Sequence, residues 1–176
     1  EDEIRESEKR YRTLADNSPM GILVHDNGTP LYTNYTARRI FEVEPDADLS
    51  KVNAYDLIHP SSKDKVSELM KEILASGKAH PLTVLKFITM KGKEIELEIT
   101  SLPIRYGNIN ALQAMFNDIT ESKKAEAEMN KLAEIVKHSH ELVNLATLDG
   151  NMIFLNDFGC KMLGIEPNLV SSVNIM

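Results

Sequence analysis

Residues 94–99 read Glu-Ile-Glu-Leu-Glu-Ile, a strict alternation of charged and apolar side chains. A period of two belongs to a strand with one dry face and one wet face. Ile95, Leu97 and Ile99 are expected to face a core, and Glu94, Glu96 and Glu98 to face water, where they serve solubility rather than catalysis. Strands of parallel sheets are covered on both faces and carry continuous apolar runs instead. The alternation therefore demands an antiparallel sheet with an open side.

Upstream of Gly77 the period is that of a helix. Val66, Leu69, Met70, Ile73 and Leu74 fall at i, i+3, i+4, i+7 and i+8, one apolar stripe. Ser61 with Asp64 three residues on reads as a capping box, and Gly77 as a left-handed C-cap. Before this helix, residues 1–17 are charged and helical, with Ile4, Tyr11 and Ala15 at heptad-like spacing, until Ser18-Pro19 breaks the run. Two strands, 20–25 and 31–34, are joined by the turn Asp26-Asn27-Gly28. Short helical pieces follow over 35–41 and 53–59, the latter stopped by Pro60. After Gly77, strands run over 82–90, from 94, and over 111–116, with turns at Met90-Lys91-Gly92-Lys93 and Tyr106-Gly107-Asn108. A helix spans Asp118 to about Lys137. Strands at both ends of the domain with helices between them give an α+β layout, an antiparallel sheet with helices on one face.

In the last helix, Ala125, Met129, Leu132 and Val136 are spaced 4, 3 and 4, an a/d seam of about two heptads. A narrow seam with charged flanks points to a dimeric coiled coil, against the alternative of a helix packed on its own domain.

Composition closes several routes. The 176 residues carry a formal net charge of −7 with the basic residues scattered, which disfavours a nucleic-acid binder. The single cysteine, Cys160, allows neither an internal disulfide nor a four-cysteine zinc site. No apolar run reaches the ~20 residues of a membrane helix, and no signal peptide opens the chain. A cytoplasmic location is expected, with a membrane anchor elsewhere in a parent protein left open. No phosphate-cradling glycine loop and no acid/base pair with a nucleophile is present, so no enzyme activity is expected of this chain itself.

The chain also repeats itself. Residues 17–45 resemble residues 138–167, at an offset of 121 that becomes 122 from the turn onward. Leu31-Tyr32-Thr33-Asn34 matches Ile153-Phe154-Leu155-Asn156, and Ile40-Phe41 matches Met162-Leu163. So long a period means tandem domains. The second copy lacks a counterpart of residues 61–116, so its tail is expected to be disordered, packed on a neighbour, or completing a swapped sheet. The expected division is a helix over 1–17, a domain over 18–120, a helical linker over 121–137 and the opening of a second domain over 138–176.

Glu6 through Leu14 followed by Asn17-Ser18-Pro19-Met20-Gly21-Ile22 resembles the start of a PAS domain of the S-box type. Asn34 after the second strand, Ile58-His59-Pro60 before the long helix, and Asn117-Asp118-Ile119-Thr120-Glu121 at the close resemble the same family. The resemblance covers residues 6–121, and 134–176 as a partial copy. It implies a five-stranded antiparallel sheet whose helical face forms a small-molecule pocket. It also implies sensing or dimerisation with output through the C-terminal helix. Tandem domains joined in this way resemble sensor histidine kinases most, and a homodimer through the N- and C-terminal helices is expected.

Counterparts of Asn34, Arg38, Arg39, Tyr55, Phe87, Thr100 and Gln113 line the cavity in resembling domains. Arg38 and Arg39 suit either an anion or a solvated helix face. Asp118 and Thr120 suit a helix cap by their chemistry. The resemblance adds a signal relay through Asp118, Ile119 and Thr120, with Asp118 paired to a nearby base. No cofactor is evident. Haem-binding relatives use a histidine within a helix, whereas His59 precedes one, and His25, His59 and His80 read as structural. Flavin photochemistry needs a cysteine in residues 35–60, which have none, and Cys160 lacks the arginine-rich flavin motif and reads as a buried thiol. Ser139-His140-Glu141-Leu142 resembles the start of a phosphoacceptor box but does not continue as one. Three functions follow: a ligand-responsive module relaying through a dimeric helix, a ligand-free dimerisation spacer, or a cofactor-bearing redox or gas sensor.

Overall fold

The structure, a computed structural model, describes the backbone of residues 2–175 and the side chains of residue 6 and residues 10–175. The Ile4 side chain, one of the heptad positions above, lies outside the described residues. The chain divides into two compact units, residues 1–120 and 121–176.

The first unit opens with helix α1 (Asp2–Asp16) and strands β1 (Gly21–Asp26) and β2 (Thr29–Thr33). Asn27 and Gly28 both take positive φ, 46° and 86°, as a two-residue hairpin turn with the twist of its strands requires. Helix α2 (Tyr35–Ile40), three single 3₁₀ turns and helix α3 (Lys63–Ser76) precede β3 (Thr83–Ile88), β4 (Glu94–Tyr106) and β5 (Ile109–Asp118). The five strands form one antiparallel sheet in the order β2-β1-β5-β4-β3.

The strict alternation holds: Ile95 and Leu97 are buried, with Leu97 fully enclosed, and Ile99 packs against the same cluster. Leu85, Phe87, Ala114 and Phe116 share that face with Ala37 of α2 and Ile58, and with Val66 and Leu69 of α3 packed against them. The helices therefore cover one face of the sheet. Phe41 sets its ring edge-to-face on both Phe87 and Phe116, at centroid distances of 5.8 and 5.5 Å.

Two details at α3 differ from the sequence reading. Ser61 is not its cap. His59 caps the preceding 3₁₀ turn, Pro60–Ser62, its Nδ1 accepting from the Ser61 N–H, and Ser62 at the N-cap spends its hydroxyl on the Lys86 N–H at 2.9 Å. The buried tie to β3 outweighs a local capping box. Leu74 is exposed, because it stands roughly 80° around the helix from Val66 and leaves the stripe. Gly77 ends α3 in the left-handed conformation, φ 64°, as expected.

The second unit holds helix α4 (Thr120–Lys137, its first residue shared with the first unit), strands β6 (Asn144–Ala146) and β7 (Met152–Leu155), helix α5 (Asp157–Leu163) and the 3₁₀ segment Pro167–Ser172. Its residues after α4 are neither structureless nor without a core: Met152, Leu155, Cys160 and Val170 form a buried cluster of their own. Along α4, Ala125, Met129, Leu132 and Val136 are exposed.

Candidate functional site

Between the inner sheet face and the helices of the first unit lies a cavity in two lobes. The first, about 70 Å³, is closed by Phe41, Val43, Leu49 and Val52, with Arg38 as its one charged group. The second, about 80 Å³, is closed by Ile58, Val66, Leu69 and Ile73 and carries His25, Tyr55, His80 and Ser101 as its polar groups. Leu23, Ala54, Phe87, Ile99 and Ala114 line both lobes, so the two are adjacent.

Of the residues the resemblance nominates, Arg38 and Phe87 line the first lobe, and Tyr55 and Phe87 the second. The other four line neither. Asn34 is fully enclosed and saturated: its Oδ1 accepts from the N–H groups of Ile22 and Ala37, and its Nδ2 donates to the carbonyls of Ala15 and Met20. It is the N-cap of α2 and a clasp on the end of α1, not a cavity wall. Arg39 is exposed and lines a surface cleft with Lys93 and Asp118. Thr100 and Gln113 each fall beside a cavity residue, Ile99 and Ala114, and alternation sends them to the opposite face of the sheet.

His25 is the residue the sequence reading missed as a cavity wall. It is 6% exposed, and its Nδ1 accepts from the Gly28 N–H at 3.1 Å. Its ring meets Tyr55 edge-to-face at 5.6 Å. Burial holds its pKa below the usual 6.5, against the opposing field of Asp26, so the ring is neutral near pH 7. Burial pushes the Tyr55 hydroxyl the other way, above 10, which also keeps it neutral. The available signal was the spacing Leu23-x-His25, which places the histidine on the apolar face of β1.

The other histidines are held locally. His59 faces Glu94 at 3.4 Å besides capping its turn, and His80 faces Glu72 at 3.6 Å and bonds the Pro81 carbonyl at 2.7 Å. Among the described residues no three His, Cys, Asp or Glu side chains gather as a metal site. Cys160 is buried, with its thiol 3.7 Å from the Leu155 carbonyl.

Where the sheet hands over to α4, the hydrogen bonds converge. The Thr120 hydroxyl accepts from the Glu96 N–H at 2.9 Å and donates to Asp118, and the Thr120 N–H donates to Asp118 Oδ1 at 2.9 Å. The Ile119 N–H donates to the Glu96 carbonyl at 2.9 Å. Asp118 thus caps α4 through Thr120. Leu97, next to Glu96, and Phe116, two residues before Asp118, both line the first lobe.

Asn156 repeats the Asn34 arrangement in the second unit. Its Oδ1 accepts from Val143 and Gly159, and its Nδ2 donates to the carbonyls of Val136, Ser139 and Glu141. Val143 and Gly159 stand at offsets of 121 and 122 from Ile22 and Ala37, the same step seen in the sequence repeat.

Among known proteins, the sequence model of the PAS fold matches residues 9–119. The chain is similar to sporulation kinase A of Bacillus subtilis (strain 168), 28% identical over 128 residues, and to sporulation kinase E of the same organism, 25% identical over 175 residues. These alignments take in 73% and 97% of this chain but only 21% and 23% of the two kinases. The crystal structure of a PAS domain from a two-component sensor histidine kinase superposes with a TM-score of 0.54 at 16% identity, over 65% of this chain and 97% of that one. That of a PAS domain from Colwellia psychrerythraea gives 0.55 at 17%, over 64% and 97%. Among the described residues no helix is long and apolar enough to cross a membrane. With its five-stranded antiparallel sheet, helix-covered cavity and closing Asp-Ile-Thr junction, the chain belongs to the PAS fold family and is a sensory module of signal-transduction proteins.

Proposed function

We propose that residues 18–120 sense a small ligand in the two-lobed cavity and pass the signal through α4 to the output of a sensor histidine kinase. The observation that carries this reading is the Thr120 junction. The first residue of α4 is bonded to Glu96 of β4, whose neighbour Leu97 lines the cavity, and to Asp118, two residues beyond the cavity residue Phe116. A ligand that shifts either strand moves the start of the helix. The exposed seam of α4 supports a homodimer along the linker, and exposed Tyr11 and Leu14 support α1 joining it. The Asn156 network supports residues 138–176 as the opening of a second domain of the same kind. No catalytic role is assigned to any residue of this chain, and a cytoplasmic setting fits this reading.

Native mass spectrometry of the purified chain tests the first half: a dimer carrying an added non-covalent mass is expected. Asp118→Ala in the full-length protein tests the second half. Autophosphorylation that keeps its full ligand response in this variant would sink the relay.

A second reading rests on the size of the lobes. At about 70 and 80 Å³ each is far below the roughly 300 Å³ at which ordinary small-molecule pockets begin. A ligand-free spacer that only dimerises fits such an interior, and a dimer without added mass would favour it.

A further inference from the structure

The second lobe is apolar apart from His25, Tyr55, His80 and Ser101, and its His25 end carries a donor with no partner in the protein. His25 Nδ1 accepts from the Gly28 N–H, so the neutral ring keeps its proton on Nε2. Among the described residues no group accepts that proton, although His25 is 94% buried. Among the described residues the buried side-chain atom left without a partner is the Tyr32 hydroxyl, so His25 Nε2 is not sealed off; it is a donor at the wall of the lobe, open to an acceptor. The Tyr55 ring stands against the same imidazole and lines the same lobe.

The charge around this end selects the acceptor. No lysine or arginine lines this lobe, and Arg38 of the adjoining lobe already donates to the Glu44 and Pro45 carbonyls, while Asp26 lies close enough to act on His25 and His80 faces Glu72. An anion brought here would be desolvated without a cation and would meet the field of Asp26. A neutral oxygen meets neither cost.

We propose, resting on the ligand-binding reading above, that the cavity takes a slim, neutral, mostly apolar molecule whose single carbonyl or hydroxyl oxygen accepts from His25 Nε2 and the Tyr55 hydroxyl. Its apolar tail lies along the wall shared by the two lobes, formed by Leu23, Ala54, Phe87, Ile99 and Ala114. A cavity of about 150 Å³ holds a benzene-sized molecule. Two adjoining lobes of about 70 and 80 Å³ therefore suit a chain of about six or seven heavy atoms.

The test is a titration of the whole chain, labelled with ¹⁵N at histidine and ¹³C at methyl groups, with 2-hexanone and separately with hexanoate at neutral pH. The expected result is a saturable shift of the His25 Nε2 signal together with the methyls of Leu23 and Ile99 by 2-hexanone, and binding of hexanoate about tenfold weaker or worse. His25→Gln and Tyr55→Phe are each expected to weaken 2-hexanone about five- to tenfold. Should His25→Gln fail to fold, Tyr55→Phe, which removes one oxygen, and the Nε2 signal of the unsubstituted protein still decide the matter. Methyl shifts without any movement of His25, or equal binding of hexanoate, would overturn this assignment and leave the ligand-binding reading standing. No methyl shift with either probe up to about 10 mM, beyond the affinity expected of a seven-atom ligand, would overturn both.

Discussion

The hydroxyl of Thr120, the first residue of α4, accepts the backbone N–H of Glu96 in the middle of β4 at 2.9 Å. Thr120 is 7% exposed and lies in the same hydrogen-bonded knot as Asp118. Thr120→Val keeps the shape but removes both the acceptor of the Glu96 N–H and the donor to Asp118. It is expected to destabilise the domain by about 1–3 kcal/mol in chemical denaturation. Thr120→Ser, which keeps the hydroxyl, is expected to recover most of that loss. Equal stability of the valine variant and the unsubstituted protein would show that the bond is not used.

Asn34 satisfies four backbone groups from a fully enclosed position. Asn34→Ala strands the Met20 carbonyl and two N–H groups and leaves the Ala15 carbonyl only the Ser18 N–H, and a loss of about 3 kcal/mol or more is expected. Hydrogen exchange at Ile22 and Ala37, whose N–H groups Asn34 accepts, is expected to accelerate together. Acceleration at one site alone would show that the clasp is not a unit.

Gly21 of β1 pairs with Phe116 of β5, and a Cβ at Gly21 would stand inside the ring of that 1%-exposed phenylalanine. Phe116 also rests on Phe41, so the ring has little room to retreat. Gly21→Ala is expected to cost about 1–3 kcal/mol as an overpacking change, read from the denaturation midpoint. A neutral or stabilising effect would mean that the ring yields.

His25 links stability to pH. Burial sets its folded pKa below the unfolded value of 6.5, so below that pH the unfolded chain binds more protons than the folded one. Stability from this group is complete above pH 6.5 and declines as the pH falls from there towards the folded pKa. Urea denaturation at stepped pH values is expected to show this decline in the unsubstituted protein and a smaller one in His25→Gln. Identical slopes in the two proteins would contradict it.

The sequence disclosed the sheet more readily than the cavity. Glu94–Ile99 states its dry face residue by residue, and Asn27-Gly28 and Gly77 announce their turns through conformations that glycine and asparagine tolerate. The repeat predicted that Asn34 and Asn156 are equivalent, and both prove to be clasps. What the sequence could not disclose was which polar residues face inward. Asn34 and Gln113 look like cavity donors, yet one is consumed by four backbone groups and the other lies on the far side of its strand. His25 looked structural because a buried histidine usually has both nitrogens engaged. Only the Gly28 contact shows that one nitrogen is taken and the other is left. Ser62 was likewise hidden, since its partner Lys86 is 24 residues away.

Amide hydrogen exchange at Ile119 and Thr120, with and without saturating 2-hexanone, tests most directly whether the cavity is coupled to α4. Both N–H groups are bonded within the junction, to the Glu96 carbonyl and to Asp118. The expected result is a change in their protection on filling the cavity, while Gly107 in the β4–β5 turn, at the other end of the β4–β5 ladder, keeps its rate. Unchanged protection at Ile119 and Thr120 with the cavity demonstrably filled would contradict the coupling.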